Sequence, residues 1–263
     1  MTTQKHTPED RASDNSSTEH NQQAQKQAKH SRSSSSQKTG QDIIPIPRAC
    51  QRRIETWFEA IDSNDIDRYN QDWQTIMPKT DHNALNRWQF AYCTVHTPWL
   101  RSCEQYDKIK NTTPATPYNK LLHMFKQTGG GMFNHKAEGV HNLHTHWTTN
   151  KKLFKPDTNN WQDWRDNLAN NLKRLGLAKT SFAIEMVRPM DAQIICIDRH
   201  MFKAFGWENV DKSCSPKQYR YFEDYWLELS SNAKVAPVVS RNLFWDQIQQ
   251  QSSSMYWANY LLN

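Results

Sequence analysis

Glycine is scarce in this chain, 7 in 263 residues, and no segment shows the convincing apolar/polar alternation of a half-buried strand. These absences argue against a sheet sandwich or barrel. Only Ile194-Ile195-Cys196-Ile197 carries enough β-branched residues to mimic a strand. No apolar run approaches the ~20 residues that span a bilayer, and the N-terminus lacks the apolar core of a signal peptide. The expected setting is therefore intracellular and soluble, where nucleic acid is accessible. Cys50, Cys93, Cys103, Cys196 and Cys214 are odd in number and widely spaced, which excludes a disulfide framework and points to mostly buried free thiols. RNA-recognition, zinc-finger and homeodomain signatures are missing too.

What is present is positive charge, tryptophan and helical spacing. A formal charge of +6 with a pI near 9.0 suits a polyanionic partner, because neutralised phosphates release counterions. Residues 1–42 are almost devoid of apolar side chains and include the run Ser33 to Ser36, so they are expected to be a disordered polar tail. The remaining residues 43–263 suffice for one sizeable domain or two lobes sharing a core. Trp161, Trp164, Leu168 and Leu172 fall three to four apart, as one buried helix face requires, and Phe222, Tyr225, Trp226 and Leu229 repeat the pattern. An all-α fold follows.

Chemistry concentrates between Leu175 and Gly206. Lys179 and Asp198 stand at what reads as opposite ends of a buried apolar helix. A lysine at the entrance to such a helix loses part of its hydration, which favours the neutral nucleophile, and a nearby carboxylate takes a proton or steadies positive charge. Each residue also has an ordinary role: Lys179 as a solvated helix-start lysine, Asp198 as the cap of the helix beginning at Arg199. Four histidines, His135, His141, His144 and His146, crowd into twelve positions and invite a metal reading. No cysteine or well-spaced carboxylate completes a ligand set, so no metal is expected there.

The Lys179-Thr180-Ser181 start, the apolar run after it, and Ile197-Asp198-Arg199-His200 resemble the helix-hairpin-helix base-excision DNA glycosylases, the superfamily of endonuclease III. Gly131-Met132-Phe133-Asn134-His135-Lys136-Ala137-Glu138 is similar to the Gly-Leu-Tyr-Asn-x-Lys-Ala-Glu segment of those enzymes and lies upstream in the same order. A third, weaker likeness covers Trp88 to Thr97. It sets Val95 and His96 at the loop that supplies a side chain to fill the gap left by a displaced base.

The resemblance implies two helical lobes with DNA across the cleft between them. A middle helical barrel would span about residues 85–200, with 43–84 and 201–263 making the other lobe. Leu175, Gly176 and Leu177 match the phosphate-binding hairpin, Leu177 standing where a second glycine is usual. Lys179 matches the Schiff-base lysine and Asp198 the family's aspartate, implying a glycosylase with lyase activity on double-stranded DNA containing a lesion or mismatch. A monomer without a membrane partner is expected. Many relatives carry an iron-sulfur cluster on four closely spaced C-terminal cysteines; here none of the five follows Cys214, so no cofactor is expected. Ile194–Ile197 becomes a buried connector in this frame. Trp99, Phe133, Trp147 and Trp245 are aromatic candidates for stacking on a base. Two other readings stay open: a DNA-binding hairpin protein without turnover, and a metal-dependent enzyme built on the histidines.

Overall fold

The helices follow from amphipathic faces and local caps. The structure, a computed structural model, describes residues 43–207, 214–250 and 260–262. The polar tail expected over residues 1–42 lies outside the described residues. No β-strand occurs among those described, and all of them fall within a single compact unit.

Helix α1 (Arg48–Glu59) turns Ile54 and Phe58 inward, and α2 (Ser63–Ile76) starts at Asp62, whose side chain accepts from the Asn64 amide. Helix α3 (Asp81–Cys93) is capped by Thr80 and buried along most of its length. It is surrounded by α4 (Trp99–Ile109), α6 (Phe133–Thr149) and α8 (Leu177–Val187), while α5 (Tyr118–Thr128) packs on α4 and α6. The approach of α6 to α3 needs Gly139. A β-carbon there would lie 2.3 Å from the Tyr92 ring, so only hydrogen fits.

Helix α7 (Trp161–Asn171) buries Trp161, Trp164 and Leu168, the expected face, and a short turn joins it to α8. Helix α9 (Arg199–Ala204) is brief, α10 (Pro216–Asn232) and α11 (Pro237–Ile248) both begin with proline, and α11 packs on α2, α9 and α10.

Two apolar cores result. The larger gathers α2 through α8 with Val235, Val238, Val239, Leu243 and Leu261. The smaller joins Ile46, Ile54 and Phe58 to Met201, Phe205, Tyr219, Phe222, Trp226 and Phe244. Residues 188–198 run between the two. Ile194 belongs to the first core while Ile195 and Ile197 belong to the second. This stretch is the buried connector expected, not a strand.

A buried chain outside a sheet must find other partners for its amides. Here the Ile195 amide donates to Glu223 Oε1 (3.0 Å), Cys196 to Glu185 Oε1 (2.7 Å) and Ile197 to the Tyr219 hydroxyl (2.8 Å), which in turn donates to the Ile195 carbonyl (2.9 Å). Each carboxylate is matched by a buried guanidinium. Arg165 grips Glu223 through two nitrogens at 2.9 and 3.1 Å, and Arg241 does the same to Glu185. Burial pushes both carboxyls up, Glu223 to about 7, and the guanidinium beside each pulls the other way.

Candidate active site

The expectation that Lys179 and Asp198 end one helix is corrected by the structure. Lys179 sits in the first turn of α8, but α8 stops at Val187, and Asp198 lies past the connector as the cap of α9. They are brought together because the connector runs back. Both line one cavity of about 330 Å³ where the two cores meet. Thr94, Thr97, Trp99, Ser102, Phe182, Cys196, His200, Arg241, Asn242, Trp245 and Gln249 complete its wall.

Asp198 is held from two sides. Its Oδ1 accepts from the His200 and Met201 amides at 3.0 and 3.1 Å, the capping role its position suggested. Its Oδ2 accepts from the Trp245 indole N–H at 2.8 Å. The cap orients the carboxylate and the indole fixes the second oxygen, so both oxygens of Asp198 are held in place at the cavity wall. Trp245 was visible in sequence only as one aromatic among many; a partner 47 residues away has no local signal. His200 stands edge-on to the Trp245 ring, and its Nδ1 lies 2.9 Å from the Gln249 amide nitrogen.

Lys179 is half-buried, with Nζ 5.5 Å from the centre of the Phe182 ring. Apolar surface thus covers one side while the cavity leaves the other open. The neighbouring Cys196 thiol is pushed up to about 12 by burial, which keeps it protonated and unreactive. All five cysteines are unpaired, and Cys93, Cys103 and Cys196 are buried.

The turn between α7 and α8 forms a helix-hairpin-helix. Leu175 is buried, and its amide donates to the Leu172 carbonyl at 3.3 Å. Gly176 caps α8 with an ordinary φ of −78°, and a β-carbon there would meet nothing within 4 Å. Neither conformation nor internal packing demands glycine at 176; the bare position leaves the helix start open to close approach from outside. Leu177 is half-buried against the smaller core. The turn is tied down by Tyr92, whose hydroxyl donates to the Lys173 carbonyl (3.1 Å), and by Asn142, which accepts from the Lys173 amide (2.8 Å). Glu138 accepts from Arg174 at 2.8 Å.

Val95 and His96 do not line the cavity that holds Lys179 and Asp198. They border a smaller one of about 130 Å³ with Tyr92, Met132, His135, Lys136 and Arg174. Of the aromatic candidates, Trp99 and Trp245 line the cavity of Lys179 and Asp198, joined by Phe182, which the sequence did not single out. Phe133 packs against the larger core, and Trp147 packs on Phe154 at 4.7 Å. The histidines spread along α6. His144 is buried with Nε2 2.7 Å from the Gln89 amide nitrogen and is lowered to about 4 by burial; His141 stands edge-on to Tyr118; His135 faces the smaller cavity. Among the described residues no three of His, Cys, Asp and Glu come together as a metal site.

The all-helical frame, with its short turn between α7 and α8, has likenesses among solved structures, and these show its fold. The individual likenesses are to 8-oxoguanine DNA glycosylases. That of Thermotoga maritima superposes with a TM-score of 0.64 at 15% identity, over 78% of this chain and 100% of its own. That of Methanocaldococcus jannaschii gives 0.61 at 16% identity, over 77% and 95%, and its glycosylase/lyase complex with a 15mer DNA containing 8-oxoguanine gives 0.63 at 16%, over 78% and 100%. No protein-family model and no curated protein sequence matches. The all-helical fold class that the resemblance implied is the one observed among the described residues.

Proposed function

We propose that this protein is a DNA-repair glycosylase with lyase activity, using Lys179 as nucleophile. The observation that carries the reading is the convergence of Lys179 and Asp198 on one cavity beside the hairpin, although 18 positions and a connector separate them. Backbone amides at the start of α8, exposed by the bare Gly176, suit a DNA phosphate and read no sequence. The excess of positive charge favours the same partner. A base cannot be attacked within the stack, so the nucleotide must swing out. Trp99, Phe182 and Trp245 supply aromatic walls for it, and Thr94, Asn242 and Gln249 supply polar groups.

In this mechanism the neutral Lys179 amine attacks the sugar C1′. The bond from C1′ to the base breaks with its electron pair leaving on the base, which takes up a proton as the lysine nitrogen gives one up. The sugar ring opens to a Schiff base. Loss of a C2′ proton expels the 3′ phosphate with its electron pair, and water then hydrolyses the imine and returns the lysine. Asp198 already accepts three hydrogen bonds, so its assigned role is a fixed negative charge facing the cation that develops at C1′. The substrate taken first is 8-oxoguanine, the base named for the structural neighbours.

Borohydride trapping on duplexes carrying 8-oxoguanine or an abasic site tests the reading. A covalent adduct is expected, and Lys179→Ala is expected to abolish it. Binding without any adduct would support a hairpin protein that lacks turnover.

A further inference from the structure

The segment Gly131 to Glu138 carries a lysine that the chemistry above does not use. Lys136 is among the largest fully buried side chains of the protein. Its ammonium donates to the Cys93 carbonyl at the end of α3 (2.8 Å), to Gln105 Oε1 on α4 (2.6 Å) and to the Thr97 hydroxyl. Three donors thus meet three acceptors from three parts of the chain, the geometry an ammonium needs inside a protein. Burial lowers Lys136 to about 8, the charge of Lys179 adding to the effect, so it stays mainly protonated at neutral pH.

Two of these acceptors lead to outer turns. Thr97 also donates to the Val95 carbonyl (2.8 Å), closing the turn in which His96 adopts a left-handed φ of 46°. Gln105 turns its amide to the Gly129 carbonyl (2.7 Å), and Arg101 donates to the Thr128 carbonyl (2.7 Å). There the backbone is left-handed at four consecutive residues, Gly129, Gly130, Gly131 and Met132, with φ of 70°, 91°, 76° and 55°. A β-carbon on Gly130 would press to 2.7 Å of Arg101, so that turn is seated tightly on α4. Left-handed backbone at His96 and Met132 is strained and persists only where the surroundings hold it. Both residues are exposed and border the same small cavity.

We infer that Lys136 is a positioning residue for base displacement. It braces the His96 turn against the Gly129–Met132 turn, so that the pair meets a duplex as one rigid edge able to occupy the space of the displaced nucleotide. The inference rests on the glycosylase reading. It also separates two tasks: opening a duplex depends on the brace, whereas attack by Lys179 on a strand with nothing to displace does not.

The experiment compares the unmodified protein with Lys136→Met on an abasic site in a single strand and on 8-oxoguanine in a duplex. On the single strand, borohydride trapping by the variant should stay within about twofold, while duplex excision falls on the order of 100-fold, the loss typical of a misplaced group of about 1 Å. The rise in fluorescence of a 2-aminopurine placed beside the lesion, which reports unstacking, should be lost with it. Gln105→Met leaves the lysine in place but removes both the link to Gly129 and one of the lysine's three acceptors, and should lower the duplex-to-single-strand ratio in the same direction. It decides the matter if Lys136→Met does not fold. Equal losses on both substrates, or none on either, would overturn the inference while leaving the glycosylase reading intact. An unmodified protein that forms no adduct on either substrate would sink the parent reading and this one with it.

Discussion

Replacing Arg241 with methionine tests the reason the connector stays in place. Arg241 holds Glu185 through its Nε at 3.1 Å and through a second nitrogen, and Glu185 holds the Cys196 amide at 2.7 Å. Glu185 is fully buried and Arg241 nearly so. In Arg241→Met the carboxylate keeps one backbone donor and loses its countercharge where water cannot replace it. Breaking one side of such a pair costs about 3–5 kcal/mol. At about 2–4 °C per kcal/mol for a domain of this size, Tm should fall by roughly 6–20 °C. The double variant Arg241→Met/Glu185→Gln removes the charge and keeps an acceptor for Cys196, so it should recover more than half of the loss. Urea unfolding and calorimetry at neutral pH measure both. The sign of the pH effect is a further check. Burial already raises Glu185, so protonating it in acid relieves the unpaired charge, and the deficit of the single variant should shrink as pH falls. A single variant that loses less than about 1 kcal/mol, or a double variant no better than the single, would refute this account.

Three further outcomes are expected. Asp198→Asn keeps an oxygen for the α9 amides and should fold normally, yet release base on the order of 100-fold more slowly in single-turnover assays; a parallel fall in Tm and rate would return Asp198 to a capping role alone. Trp245→Phe keeps the ring but frees Asp198 Oδ2, and should cost about tenfold in the same assay with little change in Tm. Asp246, buried against the Tyr69 hydroxyl at 2.7 Å, is raised to about 6 by burial. Its contribution to stability is therefore present below the ordinary carboxylate range and lost as pH rises through about 6, and Asp246→Asn should flatten the pH dependence of unfolding between about 4 and 6.

The sequence was most readable where the physics is short-ranged. Trp161, Trp164 and Leu168 mark a buried face because helical periodicity repeats within a few residues, and Asp198 reads as a cap because the amides it accepts from are its near neighbours. The run Ile194–Ile197 was ambiguous for the opposite reason. A strand and a connector bury the same side chains, and they differ in who accepts their amide hydrogens. Glu185, Glu223 and Tyr219 do so here, from two other helices. The straight reading of Lys179 and Asp198 as two ends of one helix failed on that point, since it took the connector for more helix.

By itself, then, the sequence determined an all-helical fold for the residues described, a hairpin at Gly176, and the candidacy of Lys179 and Asp198, because caps, turns and amphipathic faces are set by neighbours along the chain. Only the tertiary structure decided that those two residues share a cavity, that Trp245 fixes the carboxylate, and that Lys136 and Arg241 act as buried braces. The physical reason is desolvation. A charge taken out of water is tolerable only where partners from distant segments meet it, and which segments meet is a property of the folded chain.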